Sequence, residues 1–198
     1  MLAVIATGSG RLTGFGFGWG EADDNGCELT EEPSEGAEVM VRAECHWDNI
    51  PLSRLEDLLG DPALHEQFFS NVAKSAILEE AGGVTTVHQV HQASGMSDRE
   101  IIVEYRVEEV QGGYKYHWQK AADQSATSGD NVVVESSTGY WEIVKEGNGV
   151  RVSYQVRYLP GGNIPAFLVR MFQSSGMQAV LAELRTTAES DIVIVRAN

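Results

Sequence analysis

At 198 residues the chain fits one domain, large enough to bury roughly 70% of its unfolded surface and so to fold without a metal or a disulfide framework. Its 29 acidic residues against 14 basic ones, a net charge of −15, count against nucleic acid, where affinity comes mainly from neutralising phosphates. The same charge excludes a purely electrostatic hold on an anionic membrane, and no apolar run approaches the ~20 residues that span a bilayer.

Residues 1–26 are Gly-rich and then acidic. "GSGRLTGFGFGWG" superficially resembles a phosphate-binding loop, but no convincing strand precedes it and no GK[ST] follows, so it reads as a flexible arm with Trp19 near its end. The chain start has a short apolar run without a basic segment before it. The expectation is a cytoplasmic protein, with an exported protein whose signal is missing from this start as the alternative.

"CELTEE", "PSEG" and "EVMVRAECHW" read as two strands joined by a turn. Cys27 and Cys45 flank that turn in a register that does not set them opposite each other, so they are expected to stay unpaired. "DNIPLSRLEDLLGD" places Leu52, Leu55, Leu58 and Leu59 at helical spacing, and "DPALHEQFF" repeats the Asp-Pro start of a second short helix. Six strand-like segments follow, from "VAKSAILEE" to "VRVSYQVRYL", with connections such as "QGG" and "KEGNG" that imply antiparallel hairpins. Asn163 and Pro165 then start a helix that runs to about Ser190, and 191–198 form a tail. The order gives an α+β fold: a curved antiparallel sheet whose only adequate cover is the long C-terminal helix.

Alternation along the strands assigns the covered face. Ile101, Val103, Tyr105 and Val107 share it, as do Val150, Val152, Tyr154, Val156 and Tyr158, with Trp141, Ile143 and a stripe of Tyr114, Tyr116 and Trp118. On the helix, Ile164, Phe167, Leu168, Met171, Phe172, Ser175, Ala179 and Ala182 form one arc, with Met177, Val180, Leu181 and Leu184 roughly opposite. Long aromatics thus face Ser175, Gly176, Ala179 and Ala182. Such walls interlock as a solid core or leave a lined cavity, and the residues alone leave both open.

"SDRE" (97–100), "GYWEIV" (139–144), "VRVSYQVRYLPGGNIPAFLVRMFQSSGMQAVLAELR" (150–185) and "IPLSRLEDLLGD" together resemble the START lipid-binding domain, within the helix-grip superfamily that includes polyketide cyclases. The match spans about 38–188 and sets a START-like domain at 27–190. The resemblance implies a sheet gripping the final helix with a hydrophobic tunnel between them. The inward side chains become candidate ligand contacts: Gln89, His91, Arg99, Ile101, Val103, Tyr105, Tyr116, Trp141 and Tyr154 from the strands, with Leu168, Met171, Phe172, Ser175 and Ala179 from the helix. Arg99 matches the family's Arg-Asp motif with Glu100 in place of the acid; it either pairs a buried acid, orients a polar ligand head or sits in a salt bridge at the sheet edge. A buried acid of some sterol-binding relatives corresponds to Gln89, which weakens a specifically sterol reading.

His88 and His91 lie three apart on a strand and point to opposite faces, so they cannot share a metal; no metal site and no cofactor is expected. No nucleophile–base pair stands out. The leading expectation is a monomeric carrier of a lipid or other hydrophobic small molecule, in transient contact with membranes and without catalytic groups. The alternative is a polyketide cyclase or dehydratase that uses inward Tyr, His and Arg as acid–base partners.

Overall fold

The computed structural model describes residues 26–33, 39–92, 95–192 and 194, with the side chains of 33, 39, 166–168 and 170–174 outside the description. The expected arm at 1–26 lies outside it except for Gly26, as do 193 and 195–198 of the tail. Strands β1 (Cys27–Pro33) and β2 (Val39–Trp47) come first. They lead into α1 (Leu52–Leu59), a 3₁₀ turn (Pro62–Leu64) and α2 (His65–Phe68). Strands β3 (Val72–Ala81), β4 (Val84–His91), β5 (Arg99–Val110), β6 (Gly113–Lys120), β7 (Val132–Val133), β8 (Ser136–Glu146) and β9 (Gly149–Leu159) then precede α3 (Ala166–Glu189). Among the described residues nine strands make one unclosed sheet, ordered β1-β2-β9-β8-β6-β5-β4-β3 and antiparallel except where β7 pairs with β5. This is the expected α+β arrangement.

Local chemistry explains the small elements. Pro51 precedes α1, which buries Leu55, Leu58 and Leu59, and the Asp61 carboxylate accepts from the Ala63 N–H to start the 3₁₀ turn. The C-terminal half of α3 buries Met177, Val180, Leu181 and Leu184 and packs toward β2, α1 and α2. Arg54 of α1 donates to the carbonyls of Thr187 and Ile192, so α3 ends on a positive charge that suits its negative dipole end. The arc of Met177, Val180, Leu181 and Leu184 is thus the one that meets the core. Strand β3 forms one edge of the sheet, with irregular pairing between Val72 and Lys74 and again between Ile77 and Glu79.

Val107 was placed on the covered face but is 57% exposed, because β5 runs on past the region that the helices cover. Cys27 and Cys45 are joined by a disulfide. A turn at 33–36 would set Cys27 opposite Arg42, whereas β1 ends at Pro33 and β2 begins at Val39, and this longer connection brings Cys27 opposite Cys45 with Cα atoms 4.1 Å apart. Such a close approach belongs to a non-hydrogen-bonded antiparallel pair, where facing side chains are nearest. The two cysteines are 18 residues apart. Closing a loop of about that length stabilises by roughly 3 kcal/mol, so reduction is expected to lower the melting midpoint by about 6–12 °C in calorimetry.

Candidate functional site

Between the concave sheet face and α3 lies a cavity of about 480 Å³. Strand pairing brings its aromatic wall together. Trp141 stacks on Tyr154 with ring centroids 3.9 Å apart, Trp118 lies 5.8 Å beyond Tyr154, and Phe69 lies 6.3 Å from Trp141 on the other side. Trp118 is opposite Gly139 across β6 and β8, and a Cβ on Gly139 would lie 2.4 Å from the indole ring. Only glycine lets the ring lie flat there. Val103, Val156, Val169, Met177 and Val180 complete the apolar lining. Burial pushes the Tyr105 and Tyr154 phenols well above their ordinary range, with a Gln89 hydrogen bond working against the rise at Tyr105, so both stay protonated.

One end of the cavity is polar. His91 donates to Gln89 Oε1 at 3.3 Å, Gln89 Nε2 donates to Ser75 Oγ at 3.0 Å, and Ser75 Oγ donates to the Pro62 carbonyl at 2.7 Å. Burial lowers His91 from 6.5 to about 4, so this imidazole is neutral at physiological pH. His91 is opposite Arg99 across β4 and β5, and its ring centroid is 6.3 Å from that of Tyr158. Arg99, 5% exposed, lines the cavity and donates from Nη1 to the Ser97 carbonyl, while its Nε has no hydrogen-bond partner.

Glu100 points the other way. On the outer face its carboxylate accepts from His88 at 2.6 Å, from the Ser128 N–H at 2.7 Å and from the Ser128 hydroxyl at 2.8 Å. Burial alone would raise its pKa; the Ser128 N–H, the Ser128 hydroxyl and His88 together outweigh burial and hold it below the usual carboxylate range. The segment after β6 is laid over this face by Gln124, whose side chain bonds both the N–H and the carbonyl of Ile102. Ser128 and His88 each bond Glu100 rather than each other, so this cluster is a structural clamp and not a nucleophile–base relay.

Of the candidate contacts, Gln89, His91, Arg99, Val103, Tyr105, Trp141, Tyr154, Ser175 and Ala179 line the cavity. Ile101 does not: it shares Val103's face but is wholly covered by the core, near the end where Val134 closes over β5. Tyr116 does not either, because it lies toward α1, 3.8 Å from where a Cβ on Gly60 would sit. The side chains of Leu168, Met171 and Phe172 lie outside the described residues. Gly176 borders the cavity, and a Cβ there would meet nothing within 4 Å, so its small size serves open space and not close packing. The sequence reading missed His65, Phe69, Trp118, Tyr158, Met177 and Val180 as lining residues. Trp118 and Tyr158 were legible by alternation; His65 and Phe69 carry no periodic signal.

Among the described residues no helix is long and apolar enough to cross a membrane. No family model and no curated protein matches the chain. Solved structures do. A STAR-related lipid transfer protein from Xanthomonas axonopodis superposes with a TM-score of 0.76 at 21% identity, over 85% of this chain and 96% of that one. Human StAR-related lipid transfer protein 5 gives 0.73 at 15% identity, over 84% of each chain. The Zhui aromatase/cyclase from Streptomyces gives 0.53 at 13% identity, over 77% of this chain and 93% of that one. The sheet, the long closing helix and these superpositions together give the chain the helix-grip fold of START domains.

Proposed function

We propose that the protein is a carrier that takes a lipid or another hydrophobic small molecule into the space between sheet and α3, and passes it between membranes. The observation that carries this reading is the cavity of about 480 Å³, within the usual range for small-molecule sites and walled mainly by aromatic and aliphatic side chains. Each buried CH₂ is worth about 0.8 kcal/mol, so a 16-carbon chain gains on the order of 10 kcal/mol over water. A membrane offers the same chain a similar gain, and exchange between the two needs only a comparable environment and an opening. Ser175 and Ala179 are lining residues that are also exposed, which sets the opening along α3. The disulfide favours the exported alternative over the cytoplasmic expectation, since such bonds persist in oxidising compartments.

Native mass spectrometry of the purified chain, followed by a broad lipid panel, tests the reading. Gly176→Trp is expected to fill the cavity and reduce lipid uptake at least tenfold, while Gly176→Ala leaves uptake unchanged. Absence of any uptake by the unaltered protein would overturn the carrier.

A cyclase-type enzyme is the second reading, favoured by the grouping of His91, Arg99 and Tyr158 at one end of the cavity. A His91 held near 4 is a weak proton acceptor at neutral pH, which counts against it. Turnover of a poly-β-keto thioester that is lost in His91→Ala would favour it over the carrier.

A further inference from the structure

We infer that the ligand ends in an anionic group, a carboxylate or a phosphate, held by Arg99. The inference deepens the carrier reading and rests on it. Among the described residues that line the cavity there is no Asp, Glu or Lys. Burial holds His65 and His91 neutral, each lowered to about 4, so among the described lining residues Arg99 carries the single formal charge. Buried charges are otherwise paired, because an isolated one forfeits its hydration with nothing in return.

The acid nearest in sequence cannot serve. Arg99 and Glu100 are successive strand residues, so the pleat sends their side chains to opposite faces, and Glu100 is already committed to His88 and Ser128. At the neighbouring inward position on β4 stands Gln89, an amide whose oxygen receives His91 and whose nitrogen reaches Ser75. No salt bridge among the described residues includes Arg99. Its Nη1 has the Ser97 carbonyl, and its Nε has nothing. A guanidinium is a planar fork of donors that fits a carboxylate or phosphate through two parallel bonds, and a neutral hydroxyl or ester cannot replace that charge. The apolar wall ahead of Arg99 accounts for the remainder of such an amphiphile.

The test uses four ligands with one chain length: dodecanoate, dodecyl phosphate, dodecanol and methyl dodecanoate, titrated calorimetrically into the full chain. Both anions are expected to bind about 10- to 100-fold more tightly than the two neutral ligands. The tighter of the two anions identifies the head group as carboxylate or phosphate. Arg99→Gln is expected to erase that preference while dodecanol affinity stays within about twofold, and Arg99→Lys to keep part of it. Equal binding of dodecanol and both anions by the unaltered protein overturns the inference and leaves the carrier standing. A preference that survives Arg99→Gln, in a variant whose melting curve shows it folded, also overturns it. If none of the four binds and the broad lipid panel is also negative, the carrier reading itself fails.

Discussion

Replacing Glu100 with Ala is expected to destabilise the protein by about 3–5 kcal/mol, the cost of breaking a buried charged cluster by removing one partner. The carboxylate is the common acceptor for three donors from two elements: His88 on β4, and the N–H and hydroxyl of Ser128 in the segment after β6. Its removal strands all three. Removing both sides of the cluster differs, because Glu100→Leu with His88→Leu deletes a charge and a donor together and should recover part of the loss. Chemical denaturation of the two variants measures the difference. Hydrogen exchange should also show residues 125–131 opening more readily in Glu100→Ala, since Gln124 and the β7 pairing would then hold that segment only at its two ends. Equal stability of Glu100→Ala and the unaltered chain would show that the clamp carries no weight.

Acidification from pH 6.5 to 4 is expected to cost roughly 3 kcal/mol through His65 alone. Burial is the main reason its imidazole is lowered from 6.5 to about 4; Asp61 works against the shift and His91 adds to it. Only 3% of His65 is exposed, so solvent does little to relieve that displacement. Between these pH values the unfolded chain takes up a proton that the native chain refuses. The sign follows: the stabilisation is complete above 6.5 and disappears as pH falls to about 4. His91, on the cavity wall within reach of water, adds a smaller loss of the same sign. Glu100 adds a later one, below the ordinary carboxylate range, because its native pKa is depressed. His65→Phe is expected to flatten the upper part of the curve of stability against pH. It should also spare the fold the buried Nε2, which lacks a hydrogen-bond partner, and keep the ring contacts with Phe68, Phe69 and Tyr105.

Much of this arrangement was legible in the sequence because strand alternation is a short-range rule. It placed Val103, Tyr105, Trp141 and Tyr154 on the concave face without knowledge of which strands pair, while Gln89 came from the resemblance alone. The rule fails where coverage, not orientation, decides the outcome. Ile101 and Tyr116 face as expected yet lie under other elements, and Val107 lies under none. The setting of α3 about its own axis was less legible. That helix is apolar on two sides; the Ser175 arc was expected to face the cavity, yet Met177 and Val180 of the opposite arc line it as well. The cysteine pairing turned on a loop length: three residues of register separate Cys27 facing Arg42 from Cys27 facing Cys45.

The irregular pairing along β3 has a bearing on how copies of the chain meet. An outermost strand offers free amide and carbonyl groups, the usual template for stacking molecules edge to edge. Here the ladder is broken at two places, and Lys74, Glu79 and Glu80 project into water beside the breaks. A straight incoming strand would lose its alignment within a few residues and would confront charge. Copies of the chain are thereby kept from polymerising along that margin.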